Sequence, residues 1–245
     1  MDPERVVVRL YADLVELAGD EELEVPVGSK RSVKDLIESV GVPHPEVALI
    51  LVDGRPVSFE HLVAGGERVA VYPPFQSFDL AAVTTVDPPP ADPRFVADVH
   101  LGTLARRLRL LGFDTWYRPD ANDDLLAEVA VGEGRILLSR DRGLLMRRVI
   151  THGYCPRSDD PELQAIEVIR RYRLAPHIAP FTRCINCNGE LEAVEKQEVV
   201  DELPPATRRE HERFTRCCDC GQVYWPGSHK EALTDVVADL RTAGR

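Results

Sequence analysis

Arg94-Phe95-Val96-Ala97-Asp98 and Arg135-Ile136-Leu137-Leu138-Ser139-Arg140-Asp141 bracket the stretch that decides the fold. Each is a short apolar run that leads to an acid. Between them, Leu101, Leu104, Ala105, Leu108 and Leu111 recur at helical spacing, and Asn122-Asp123-Asp124-Leu125-Leu126 opens a second helical pattern. Apolar runs alternating with helical stretches predict an α/β domain built around a parallel sheet. Chemistry in such sheets gathers at the carboxyl ends of the strands. Asp98 and Asp141 stand at two such ends, and Asp123, with Asp124 beside it, stands at the helix start between them. That repetition points to a hard cation, Mg²⁺ or Mn²⁺, held by carboxylates and water. Taken singly, each acid reads equally as a turn residue or an N-cap, and Asp123 has the place of a cap for the helix of Leu125, Leu126, Val129 and Ala130.

Working outward, the helix from Leu101 to Leu111 is expected to turn its leucines to the core and spread Arg106, Arg107 and Arg109 around its outer side, with Gly112 ending it. A strand follows at Asp114-Thr115-Trp116-Tyr117. A short helix is expected after Asp141, and another from Pro161 to Tyr172 with Leu163, Ile166 and Ile169 inward.

The six cysteines are unevenly spread, with Cys155 alone and five between Cys184 and Cys220. Cys184-Ile185-Asn186-Cys187 and Cys217-Cys218-Asp219-Cys220 are two C-x₂-C knuckles, each able to give two thiolates to one tetrahedral Zn²⁺. Four sulfurs leave no open position, so the zinc is structural. Cys218 is the spare. The long spacing between the knuckles predicts an insertion with its own helix over Glu190–Arg216. Tyr224-Trp225-Pro226-Gly227-Ser228-His229 either stacks on RNA bases or packs on the zinc loops, and Lys230–Leu240 reads as a closing helix.

A net charge of -11 would argue against a nucleic-acid partner were it evenly distributed. Residues 1–93 carry 7 basic and 17 acidic side chains, whereas the remainder carries 23 and 24. The central arginines, Arg106, Arg109 and Arg140 among them, then form a local basic excess suited to phosphate oxygens. Any one of them reads as well as part of a solvated face. The N-terminus lacks the features of a signal peptide, and no apolar run approaches a membrane span, so a cytoplasmic protein is expected.

Within residues 1–77 the order is strand, strand, helix, strand, strand, with an Asp53-Gly54 hairpin turn, the order of an α+β β-grasp or ubiquitin-like domain. It looks like the small sulfur carriers of molybdopterin and thiamine biosynthesis, but it lacks their free C-terminal Gly-Gly. Gly65-Gly66 is internal and reads as a turn, so the module is read as structural or as a docking surface for a protein partner. Residues 78–93 hold Asp87-Pro88-Pro89-Pro90-Ala91-Asp92-Pro93, an extended linker.

The motifs Phe95–Asp98, Leu101–Arg109, Leu111–Asp114 and Arg135–Asp141 resemble the Mut7-C family, a branch of the PIN-like nucleases with an appended zinc ribbon. The resemblance implies a PIN-like domain over 94–180 and a zinc ribbon with a C-terminal helix over 181–245. It implies RNA cleavage with Mg²⁺ or Mn²⁺ on Asp98, Asp123 and Asp141, with Asp124 adjacent and Asp159 or Asp160 as a fourth acid. Ser139 keeps the hydroxyl of the family's Thr-Arg-Asp and joins Arg106, Arg109 and Arg140 as a candidate substrate contact. The alternative is a non-catalytic RNA- or protein-binding module. If the acidic N-terminal part shields the basic site, deleting residues 1–93 raises activity.

Overall fold

The structure is a computed structural model that describes residues 4–28, 30–75 and 83–225. The first elements in chain order are β1 (Glu4–Leu10), α1 (Leu14–Ala18), β2 (Glu22–Val27), β3 (Arg31–Ser32), α2 (Val33–Ser39), β4 (Leu49–Val52), β5 (Arg55–Pro56), β6 (Leu62–Val63) and β7 (Arg68–Tyr72). Next come β8 (Phe95–Ala97), α3 (Gly102–Leu110), β9 (Thr115–Trp116), α4 (Asp123–Gly132), β10 (Ile136–Leu138), α5 (Arg142–Leu145), β11 (Gly153–Tyr154) and α6 (Pro161–Arg171). The last are β12 (Leu191–Val194), α7 (Lys196–Val199), α8 (Pro205–Glu210), β13 (Phe214–Cys217) and β14 (Val223–Tyr224). Backbone contacts divide the chain into two compact units, Met1–His100 with Pro119–Arg157 and Leu101–Arg118 with Ser158–Arg245.

In the first unit the strands order as β2-β1-β7-β4-β5, with β1 and β7 parallel and the other pairs antiparallel, which is a β-grasp sheet. Alternation along β1 buries Val6, Val8 and Leu10, and α2 lays Val33, Leu36 and Ile37 into the same core. Ser32 caps α2 by accepting the Asp35 N–H, as its sequence position predicts. Asp53 and Gly54 both take positive φ, +48° and +79°, the backbone that a two-residue hairpin turn needs. Gly65 and Gly66, also at positive φ, form a turn before β7. The residues just before the prolines are held on this domain: Thr84 and Thr85 donate to the carbonyls of Ala48 and Val57, and Val86 packs on the core.

The same unit holds β8, β10 and β11, all parallel, with β10 between the other two. Every residue of β8 and β10 is buried, which explains why these strands read as continuous apolar runs without alternation. The β-grasp packs against this sheet through buried polar contacts. Glu46 accepts the Cys155 N–H at 2.7 Å and pairs with Arg157 at 2.9 Å, and a His44 ring nitrogen lies 2.7 Å from the Ile150 carbonyl oxygen. Arg142, the first residue of α5, donates to the Leu17 carbonyl at 2.6 Å.

In the second unit α3 buries Leu104, Ala105 and Leu108, and α6 buries Ala165, Val168 and Ile169. Leu163, expected inward, is 52% exposed, because the buried face of α6 runs through 165, 168 and 169. The antiparallel strands order as β12-β13-β14, and two short helices, α7 and α8, lie between the knuckles, where the spacing predicts one. Residues 226–245, with the rest of the Tyr224–His229 motif and the Lys230–Leu240 helix, lie outside the described residues.

Candidate active site and metal centre

Asp98 sits directly after β8 and is 5% exposed. Its Oδ2 accepts the Ser139 hydroxyl at 2.6 Å, and its Oδ1 lies 3.3 Å from the donating His100 N–H. Ser139 Oγ in turn accepts the Asp141 N–H at 3.0 Å. One buried hydroxyl therefore ties the carboxyl ends of two adjacent parallel strands together. Asp141 also N-caps α5, its Oδ1 accepting from Gly143 and Leu144.

The middle acids differ from the sequence expectation. Asn122, not Asp123, caps α4, accepting the Leu125 N–H at 2.9 Å. Asp123 and Asp124 fall in the first helical turn, where carboxylates suit the helix dipole. Both are held by Arg147, at 3.4 Å and 2.7 Å respectively. Among the described residues the aspartates do not converge into a group of three ligands; only Cys184, Cys187, Cys217 and Cys220 do.

Those four cysteines bring their sulfurs within 4.8 Å of one another. Cys184 and Cys220 sulfurs are 3.6 Å apart, and those of Cys187 and Cys217 are 3.3 Å apart. N–H groups of Cys187 and Gly189 point at the Cys184 and Cys187 sulfurs. A Cβ on Gly189 would lie 2.8 Å from the Cys217 sulfur, so only glycine fits there. Burial raises the Cys184 thiol, but hydrogen bonds from the Tyr224 hydroxyl and the Cys187 and Asn186 amides outweigh it and bring it down to about 6. Burial and the neighbouring sulfurs push Cys187 up to about 12. Four sulfurs this close could hold a metal ion, and the donor set fits tetrahedral zinc. Cys218 is exposed and outside the group.

A Mut7-C RNAse domain model matches residues 93–237, and a Mut7-C ubiquitin model matches residues 4–79. The chain belongs to the Mut7-C RNAse family. Membership supports a nuclease-type function in general. No curated protein matches the chain. Among solved structures, small archaeal modifier protein 1 of H. volcanii is 23% identical and covers 29% of this chain and 99% of its own, with a TM-score of 0.27. The HVO 2177 protein of Haloferax volcanii is 20% identical and covers 31% of this chain and 87% of its own, with a TM-score of 0.27.

Within this Mut7-C chain several expected side-chain roles change. Arg109, expected on the outer face of α3, is 3% exposed and donates to the Thr115, Ile185 and Asn186 carbonyls, so its guanidinium is committed to the protein. Ser139 is 0% exposed, and its hydroxyl is engaged by Asp98 and by the Asp141 N–H. Asp160, a candidate fourth acid, N-caps α6. Tyr224 donates to Cys184, and Trp225 packs on the small core of Val199, Leu203, Phe214 and Val223, which supports packing over base stacking for this pair. Arg106 and Arg140 are exposed. The Glu46–Arg157 pair was not foreseen, because nothing in the sequence links two charged residues so far apart. No helix among the described residues is long and apolar enough to cross a membrane.

Proposed function

We propose that this chain is a divalent-metal-dependent ribonuclease that hydrolyses RNA phosphodiester bonds through Asp98 and Asp141, with Asp123 and Asp124 completing the site. The observation that carries this reading is the Asp98–Ser139–Asp141 linkage at the ends of β8 and β10. Mg²⁺ and Mn²⁺ are usually held by one or two carboxylates, with water and substrate phosphates filling the rest. Asp98 and Asp141 fit that donor set, and the four cysteines fit structural zinc. When bound, the hard cation supplies an activated water and stabilises the leaving oxygen.

The chain's own groups do the positioning. Ser139 fixes the carboxylate plane of Asp98, and the first amides of α5 hold Asp141 Oδ1, leaving Oδ2 for a ligand. Arg140, exposed beside Asp141, supplies positive charge for a phosphate. RNA is the substrate class, and the β-grasp offers a surface for a protein partner. All six cysteines are unpaired, which suits a reducing cytoplasmic location.

The second reading, an RNA- or protein-binding module without turnover, is favoured by the two ion pairs of Arg147 that occupy Asp123 and Asp124. End-labelled cellular RNA incubated with zinc-loaded protein and Mn²⁺ separates the two readings. Cutting that needs Mn²⁺ and is lost in Asp98→Asn supports the nuclease. Binding without cutting, equal in both proteins, supports the module.

A further inference from the structure

The cysteine centre and helix α3 lie in one compact unit, and they are joined by side chains that are neither among the four cysteines nor among the acids proposed for cleavage. Arg109 Nε donates to the Thr115 carbonyl at 2.8 Å, while its Nη1 donates to the Ile185 and Asn186 carbonyls at 3.1 and 2.8 Å. Ile185 and Asn186 are the two residues between the first pair of cysteines. The next residue but one returns the contact. Asn188, at φ +76°, accepts the Thr115 N–H at 2.9 Å and donates to Asp114 Oδ1 at 2.7 Å. Both backbone groups of Thr115, at the start of β9, are thus satisfied by the knuckle and by the arginine that grips it.

We propose that occupation of the four-cysteine centre by zinc holds α3 and β9 in place through Arg109 and Asn188, so that Arg109 is a positioning residue of the metal centre. The carbonyls of Ile185 and Asn186 are held where Arg109 needs them only while Cys184 and Cys187 share a metal. Zinc with four thiolates carries net negative charge, and a buried guanidinium beside it offsets that charge. Without the metal, the knuckle opens and the buried Arg109 loses the Ile185 and Asn186 carbonyls that its Nη1 bonds, a costly state that is relieved when α3 frays. A nine-residue helix has little stability of its own to resist this.

The inference does not rest on RNA cleavage, and its test reads no activity. In the first experiment, hydrogen exchange is measured on the full-length wild-type chain with zinc bound and after removal of zinc by a chelator. The amides from Leu108 to Phe113, with Thr115, are expected to lose protection at least about 10-fold, while those of β10 and α4 keep theirs. Loss of protection confined to the ribbon, with α3 unchanged, overturns the proposal. In the second, zinc is competed away by a chromogenic chelator from wild type, Arg109→Lys and Asn188→Ala. Removing such a supporting group is expected to weaken zinc binding by about 10–100-fold. Unchanged zinc affinity in both variants overturns the role of these side chains even if one of them unfolds more easily.

Discussion

The cysteine centre and the aspartate set are both built from residues that can hold metal, yet they stand in opposite states. Four sulfurs are already gathered within 4.8 Å, whereas the acids are each tied to a protein partner: Asp98 to Ser139, Asp141 to the amides of α5, and Asp123 and Asp124 to Arg147. The difference follows from chain geometry. A C-x₂-C knuckle places its two ligands by local backbone alone, and soft thiolates repel one another until a metal arrives. The acids come from three separate elements, and a hard cation accepts water and substrate oxygens in place of missing side chains. One set is gathered by the fold into a candidate metal site, and the other is spread over elements that each give it a protein partner.

The largest effect expected is on the closed centre. Cys187→Ser leaves three sulfurs and is expected to lose zinc and unfold the second unit, because structural zinc is worth on the order of 10 kcal/mol in small domains. Elemental analysis and circular dichroism check this; a variant that keeps zinc and fold would show that the centre is not the staple described here.

Next in size is the join between the β-grasp and the parallel sheet. The Glu46 carboxylate is fully buried and the Arg157 side chain only 12% exposed; burial by itself lowers the Arg157 pKa, but the hydrogen bond and charge of Glu46 outweigh it and leave that pKa raised. Glu46→Ala removes one partner of a buried pair and is expected to cost about 3–5 kcal/mol in denaturant unfolding. For the same reason, deleting residues 1–93 removes Glu46 from Arg157 and Cys155, and the Leu17 carbonyl from Arg142. The expected outcome is a less stable protein, in place of the gain in activity anticipated from charge alone.

Ser139→Ala sharpens the contrast from the open side. It leaves every acid in place but removes the bond that orients Asp98, and is expected to lower Mn²⁺-dependent cleavage by about 10–100-fold while leaving zinc content unchanged. Ser139→Thr, which keeps the hydroxyl, should retain most of the rate.

The smallest effect is on pH. Burial lowers His152 below its ordinary 6.5, with Asp87 opposing. The unfolded chain then takes up a proton before the folded one does, so stability from this group is intact above pH 6.5 and is lost as the pH falls below it. His152→Gln should remove that share of the acid slope in thermal melts, and an unchanged slope would contradict the assignment.

Much of this architecture is legible in the sequence for definite reasons. The apolar runs of β8 and β10, the Ser32 cap, the Asp53-Gly54 turn and the paired knuckles are local patterns, and local patterns carry their geometry with them. Arg109 is not legible in this way. Its spacing puts it near the edge of the helix face, and only the knuckle some 75 residues later decides that it is buried. Ser139 reads as a hydroxyl beside an acid, but its bond to Asp98 depends on β8 and β10 being neighbours, which pattern alone does not fix. The partners of Glu46 and Asp123 likewise lie on other elements.

The measurement that tests the contrast most directly is Mn²⁺ binding to the zinc-loaded full-length chain, followed by electron paramagnetic resonance. The account predicts a Mn²⁺ site that forms while zinc stays bound, weakens sharply in both Asp98→Asn and Asp141→Asn, and is unaffected by changes at Cys218. Mn²⁺ binding equal in wild type and in both aspartate variants would contradict it, and Asp98 and Asp141 would then be a strand-end bridge and a helix cap.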